Sequence, residues 1–203
     1  MRAASILFAS FFLVMAAARA QDAPAPPAVP PAAVVGPKVL IQTTMGDITL
    51  QLDQQHAPAT VANFLRYIKE KHFDGTLVYR VMAGFVIQAG SWDSPTHARG
   101  VHDPIPLEAN NGLKNMRGAV AMARGDAPAS AQAEFFIDLA DNPGLDQSAT
   151  DTADTTGFAV FGSVISGMDV VDKIAAVPVG DNGPMKGQAP GDPIIIVKVQ
   201  VLP

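Results

Sequence analysis

The sequence predicts a mainly β domain, a closed or nearly closed antiparallel barrel capped by two helices. Three observations carry this expectation. Short β-rich runs recur between turn signals along the chain. Only two segments show the apolar repeat of a helix, and they lie at opposite ends of the strand order. Sheets built from many short strands lose their exposed edges by closing. The composition suits one core, with 203 residues, 48% hydrophobic, 16% charged and no cysteine.

From the N-terminus, MRAASILFASFFLVMAAARA combines Arg2, an apolar run from Ile6 to Ala18 and the small-residue site Ala18-Arg19-Ala20. This is the pattern of a secretory signal peptide, residues 1–20, cleaved after Ala20. The apolar run of 13 residues falls short of the ~20 that a spanning helix needs. Without cysteine the signal cannot carry a lipid, and folding needs no disulfide. In the next segment, 21–37, Pro24, Pro26, Pro27, Pro30, Pro31 and Pro37 exclude a helix or a central strand. It reads as an extended, disordered tail, a spacer rather than a docking motif.

The folded domain is expected over 38–203. KVLIQTT and DITLQLD form a hairpin turning at Met45-Gly46. Pro58 opens a helix in which Val61, Phe64, Leu65 and Ile68 share one face. TLVYRVMAGFVIQAG reads as strand, turn at Ala83-Gly84 and strand; GAVAMARG, AEFFIDLAD and FAVFGSVI are further strands. SGMDVVDKIAAV gives the second helix, stopped by Pro178, and IIIVKVQVL the closing strand. Trp92 is expected to pack locally.

Charge narrows the partners. Removing residues 1–20 deletes Arg2 and Arg19 and no acid, taking the formal charge two units below the −5 of the whole chain. A nucleic acid or an anionic membrane needs a basic face, so neither is the expected partner. No phosphate-binding glycine loop occurs. His56, His72, His97 and His102 do not cluster at metal-ligand spacings. Asp146, Asp151 and Asp154 lack the spacing of a calcium loop, and no serine sits in a G-x-S-x-G elbow.

Arg80 remains, one charge in the apolar run VYRVMAGFVIQAG. Strand alternation puts it on one face with Val78 and Met82, opposite Tyr79 and Val81. After the turn, Phe85 and Ile87 alternate with Val86 and Gln88, and a bend at Gly84 can bring Phe85 and Gln88 to Arg80. From these residues alone, Arg80 reads equally well as half of an ion pair at a barrel edge.

Four segments in order, VYRVMAGFVIQAG, NNGLKNMRGAVAMARG, SAQAEFFIDLADNPGLD and FAVFGSVISGMDVVDKI, resemble the cyclophilin family of peptidyl-prolyl cis-trans isomerases. The resemblance spans Lys38 to Pro203. Met122–Arg124 and the short VLP ending are similar to the bacterial exported type. It implies an eight-stranded antiparallel closed β-barrel capped by two α-helices, with a substrate groove on the outer wall. Arg80 would be the catalytic residue, with Phe85 and Gln88 beside it. Met122, Phe136 and Leu145 would wall the proline pocket, and Ala123 and Arg124 would present backbone to the peptide. Phe135 and Phe136 must face opposite sides of their strand, and the resemblance selects Phe136 for the groove.

The resemblance also implies a function. The protein would catalyse rotation about X-Pro bonds in unfolded or folding exported proteins, as an exported monomer, in the periplasm or else secreted outside the cell, with no cofactor and no membrane contact after signal cleavage. A non-catalytic proline-peptide-binding module or holdase is the alternative, and Arg80 with Phe85, Gln88 and Phe136 favours catalysis. Three departures from the family pattern bear on the groove. Glu134 replaces the usual Gln and could orient a nearby guanidinium or compete for it. Phe158 stands in place of a groove histidine, and Gly144 in place of the tryptophan on which cyclosporin binding leans. The polar segment 146–157 is longer than in many members and borders Leu145 and Phe158.

Overall fold

The computed structural model describes residues 36–148 and 156–203. Residues 1–35, read above as a signal peptide and most of a tail, and residues 149–155 of the polar segment lie outside the described residues. Gly36 and Pro37, counted above with the tail, are already tied to the domain. Gln51 Nε2 donates to Gly36 O at 2.7 Å, and the Leu52 amide to Pro37 O at 3.0 Å.

The chain begins with a hairpin, β1 (Lys38–Thr43) and β2 (Gly46–Leu52). The two turn residues are Thr44 and Met45, one position earlier than expected, and Gly46 starts β2 at φ 132°. That dihedral favours glycine, and a Cβ at Gly46 would also strike Val170 of the second helix. Helix α1 (Pro58–Lys69) follows, burying Val61, Phe64 and Ile68. It has no side-chain cap of its own. Glu108, far along the chain, takes that role by accepting the amides of Ala59 (3.0 Å) and Thr60 (2.8 Å), which satisfies donors a helix start leaves unpaired.

The remaining large elements are β3 (Val78–Met82), β4 (Val86–Ala89), the short pair β5 (Trp92–Ser94) and β6 (His97–Ala98), β7 (Ala119–Met122) and β8 (Phe135–Asp138). After a 3-10 turn at Pro143–Leu145 come β9 (Val160–Ser166), helix α2 (Met168–Ala175), the short pair β10 (Val179–Gly180) and β11 (Ala189–Pro190), and β12 (Ile196–Val201). Trp92 packs on Tyr79, ring centroids 5.9 Å apart.

Eight strands form one antiparallel sheet in the order β12-β1-β2-β9-β7-β8-β4-β3. The expected closed barrel is met approximately. The edge strands join through a bridge at Leu77–Ile195, supported by Val78 N–H to Ile194 O (2.9 Å) and Ile196 N–H to Thr76 O (2.8 Å). Beyond that point another segment competes for the edge of β3: the Val81 amide donates to Gln188 O at 2.7 Å.

Alternation along the strands separates two apolar clusters. The inner one fills the barrel with Val39, Ile41, Leu50, Val120, Ile137 and Phe161, among others. Around Phe64 the rings of Phe73, Phe135 and Phe161 lie 5.1–5.3 Å away, within the range of favourable aromatic packing. This packs α1 against the barrel core, while Val170 sets α2 against the Gly46 end of β2. The void among Ile41, Ile48, Val78 and Phe135 is about 20 Å³, room for a water-sized occupant. The barrel interior is therefore core, and ligands must bind outside it.

Candidate active site on the outer wall

The second cluster lies on the outer face of β4, β7, β8 and β9, where Val86, Ala119, Ala121, Phe136 and Val160 are packed by Phe85, Leu113, Ala123, Leu145 and Phe158. Small residues on β7 keep the wall low between the aromatic groups. A groove opens there, lined by Arg80, Phe85, Val86, Gln88, Ala123, Arg124, Phe136, Leu145, Phe158 and Met185. Eight of the ten residues selected from the sequence thus come together.

Arg80 reaches this face because β3 carries a bulge. Val78 pairs with Ala89 and Arg80 with Gln88, leaving Tyr79 as the extra residue. The bulge corrects the simple alternation: Val78 joins Val81 in the barrel core rather than sharing the face of Arg80. Met82 does stay with Arg80. The guanidinium is held on three sides, Nε to Gln188 Oε1 (2.6 Å), Nη1 to Gln88 Oε1 (2.9 Å) and Nη2 to Met82 Sδ (2.8 Å). Gln88 is itself fixed by donating from Nε2 to the Tyr79 hydroxyl at 2.6 Å. Of the five guanidinium N–H groups, one on each terminal nitrogen is left to meet a ligand.

Phe85 sits in the turn rather than in a strand. Its amide donates to Met82 O at 2.9 Å across Ala83 and Gly84, the latter at φ 72°. Its carbonyl accepts from the Leu139 amide (2.8 Å) and Asn142 Nδ2 (3.1 Å), so Phe85, Val86 and Gln88 all border the groove. At the opposite wall Phe136 meets Phe158 edge-on at 5.5 Å, and the Arg124 guanidinium lies 5.0 Å above the Phe158 ring. Arg124 also donates to Gly157 O at 2.9 Å and Thr156 Oγ1 at 3.0 Å, so its side chain braces the segment carrying Phe158. The Ala123 amide is used within the fold, donating to Glu134 O at 2.9 Å. The Phe158 amide ties to Leu145 O at 2.9 Å. At Gly144 a side chain would meet no atom within 4 Å, so this rim position is open.

Two expectations are corrected. Met122 does not wall the groove: it is 2% exposed and belongs to the barrel core, because alternation on β7 turns Val120 and Met122 inward and Ala119 and Ala121 outward. Val86 supplies that wall instead. Glu134 makes no hydrogen bond or ion pair with Arg80; Oε1 accepts the Ser91 amide at 2.8 Å, and Oε2 is buried without a partner among the described residues. Burial pushes the Glu134 carboxyl upward, against the pull of the Ser91 amide and the Tyr79 hydroxyl. Burial likewise pushes the Tyr79 phenol far up, with the Glu134 charge adding to it. Glu134 thus bears on the Tyr79 phenol, whose hydroxyl holds Gln88 beside Arg80.

Beneath the Phe85 end lies Asp138, fully buried at the end of β8. Its Oδ1 accepts from Asn142 Nδ2 at 2.6 Å, whereas Oδ2 has no partner among the described residues. Burial raises its pKa to about 7, with Asp146 adding to the rise and Asn142 opposing it. The histidines serve separate places: His97 pairs with Asp93 and His102 with Glu70. Among the described residues no group of three or more His, Asp or Glu could hold a metal ion, and no helix is long and apolar enough to cross a membrane.

Sequence reasoning missed Val86, Met185 and Gln188. Val86 was legible, since it alternates with Ile87 and precedes Gln88 by two. Met185 and Gln188 carry no local signal.

Comparisons with known proteins agree with this geometry. Residues 38–201 match the family model for the cyclophilin type peptidyl-prolyl cis-trans isomerase/CLD. The chain is 44% identical over 163 residues to peptidyl-prolyl cis-trans isomerase B of Escherichia coli, covering 80% of this chain and 98% of that protein. To peptidyl-prolyl cis-trans isomerase A of Dickeya dadantii it is 40% identical over 171 residues, covering 84% and 87%. Its fold matches a crystal structure of a Cryptosporidium parvum cyclophilin type isomerase in the presence of the dipeptide Ala-Pro, with TM-score 0.67, 24% identity, and 82% and 99% of the two chains covered. With an eight-stranded antiparallel barrel, an outer groove and this match over nearly the whole described chain, the protein belongs to the cyclophilin-type peptidyl-prolyl cis-trans isomerases.

Proposed function

We propose that Arg80 is the catalytic group of this isomerase, that Phe85, Val86, Phe136, Leu145 and Phe158 hold the prolyl ring, and that the substrates are X-Pro segments of exported proteins met in the periplasm by a monomer. One observation carries the site assignment: a guanidinium anchored at three nitrogens stands at the edge of an apolar groove with donors to spare.

The reaction needs no covalent step. Resonance sets a barrier of ~18–20 kcal/mol to rotation about a peptide bond, while the two forms of an X-Pro bond differ by only ~0.5–1 kcal/mol. The catalyst must bind the twisted state better than either planar one. In that state the imide nitrogen regains a lone pair and the carbonyl loses its conjugation. The two remaining Arg80 N–H groups suit those acceptors, since a guanidinium stays charged and its donors lie in a fixed plane. One preorganised donor aimed at developing charge contributes ~3–4 kcal/mol. The apolar walls strengthen that field by excluding water. The Ala-Pro dipeptide of the Cryptosporidium crystal supports a prolyl ligand of this class.

The export part of the reading rests on residues 1–20. The site is tested by comparing wild type with Arg80→Ala on a short X-Pro peptide. A fall of about 10²-fold in kcat/KM is expected. Equal rates would end the assignment of Arg80 and favour a binding role.

A further inference from the structure

Resting on the reading of Arg80 as the catalytic group, we propose that Gln188 is a positioning residue for the isomerase reaction. It lies 108 residues from Arg80 in sequence, and its Oε1 accepts Arg80 Nε–H at 2.6 Å, the shortest of the three contacts that hold the guanidinium.

Three features make the contact more than an incidental one. Nε carries a single N–H in the guanidinium plane, so its acceptor fixes the last side-chain torsion and with it the directions of both terminal nitrogens. Gln88 and Met82 hold one terminal nitrogen each, and Gln188 adds the third point of attachment, at the nitrogen where the guanidinium joins its stem. Gln188 is also a neutral acceptor. It orients the cation without cancelling the charge that the twisted imide must feel, as a carboxylate there would.

Its own placement is secured by backbone. Gln188 O accepts the Val81 amide at 2.7 Å, next to Arg80, and its amide donates to Met185 O at 3.1 Å. The segment that covers the edge of β3 therefore delivers an acceptor to Nε and, through Met185, an apolar side chain to the groove. Side-chain substitution leaves these backbone bonds in place.

The test uses Gln188→Leu and Gln188→Glu, each alone and in an Arg80→Ala background, with kcat and KM taken from exchange NMR on an X-Pro peptide. Gln188→Leu should lower kcat about tenfold and change KM less than about twofold, because misorientation of a catalytic group is felt mainly in the transition state. In the Arg80→Ala background the same change should cost nothing further. The Arg80 Nε–H signal should exchange with water faster in Gln188→Leu and stay protected in Gln188→Glu, which keeps an acceptor. Wild-type kcat in Gln188→Leu beside a slow Arg80→Ala would overturn the proposal alone. So would an equal fractional loss in both backgrounds. Equal rates for wild type and Arg80→Ala would instead overturn the reading of Arg80 on which it stands.

Discussion

Replacing Asp138 by asparagine should make the protein more stable at neutral and alkaline pH while leaving it nearly unchanged in acid. Asp138 is fully buried, and its pKa rises from the ordinary 3.8 to about 7. Below about pH 4 both folded and unfolded states carry the proton, and the residue has no pH-linked effect. Between about pH 4 and 7 the unfolded chain gives up the proton and the folded one keeps it, so stability falls as pH rises. Above about pH 7 the loss is complete. A shift of about 3 units at 1.36 kcal/mol each amounts to ~4 kcal/mol, a large share of the ~5–15 kcal/mol that holds a typical domain together. Asparagine preserves an Oδ1 acceptor for Asn142 and does not ionise. Urea unfolding of both proteins from pH 3.5 to 9 measures the difference. The curves should meet within ~1 kcal/mol at the acid end and separate progressively to about pH 7. A gap that does not vary with pH, or a less stable variant at pH 8, would refute the reasoning.

Four further outcomes follow from the groove and the N-terminus. Glu134→Gln keeps an acceptor for the Ser91 amide and removes an acid whose pKa is raised; kcat should change less than about threefold while its dependence on pH flattens, and no change in either would exclude an influence through Tyr79 and Gln88. Cyclosporin should bind weakly, because Gly144 leaves the rim open where the family's tryptophan contributes; calorimetry finding nanomolar affinity would contradict this, and Gly144→Trp should tighten binding. Truncating Phe158 to alanine removes the ring that Phe136 and Arg124 pack against, and kcat/KM should drop about tenfold or more in the peptide assay. Mass spectrometry of the protein isolated from its host cells should find Gln21 as its first residue, and an intact Met1 would overturn export through residues 1–20.

Much of the site was legible because its signals are local. The alternation of FFID puts Phe135 and Phe136 on opposite faces of their strand, and the fold turns Phe136 to the groove and Phe135 to the ring cluster around Phe64. The repeat of Val61, Phe64 and Ile68 marks the buried face of α1 in the same way. Applied to GAVAM, that rule also turns Met122 inward with Val120, and the resemblance alone had placed it in the groove. Alternation failed at Val78, where the β3 bulge inserts Tyr79 and shifts the phase. A bulge belongs to the pairing of two strands, so neither strand announces it alone.

By itself the sequence determined the strand and helix periods, the family and the identity of the cation in the groove. Only the tertiary structure decided what holds that cation. Gln188, the Glu108 cap on α1 and the burial of Asp138 all depend on which distant segments the sheet order brings together. A hydrogen bond of this kind needs two groups within about 3 Å, and no spacing along the chain encodes a distance set by the closure of a barrel.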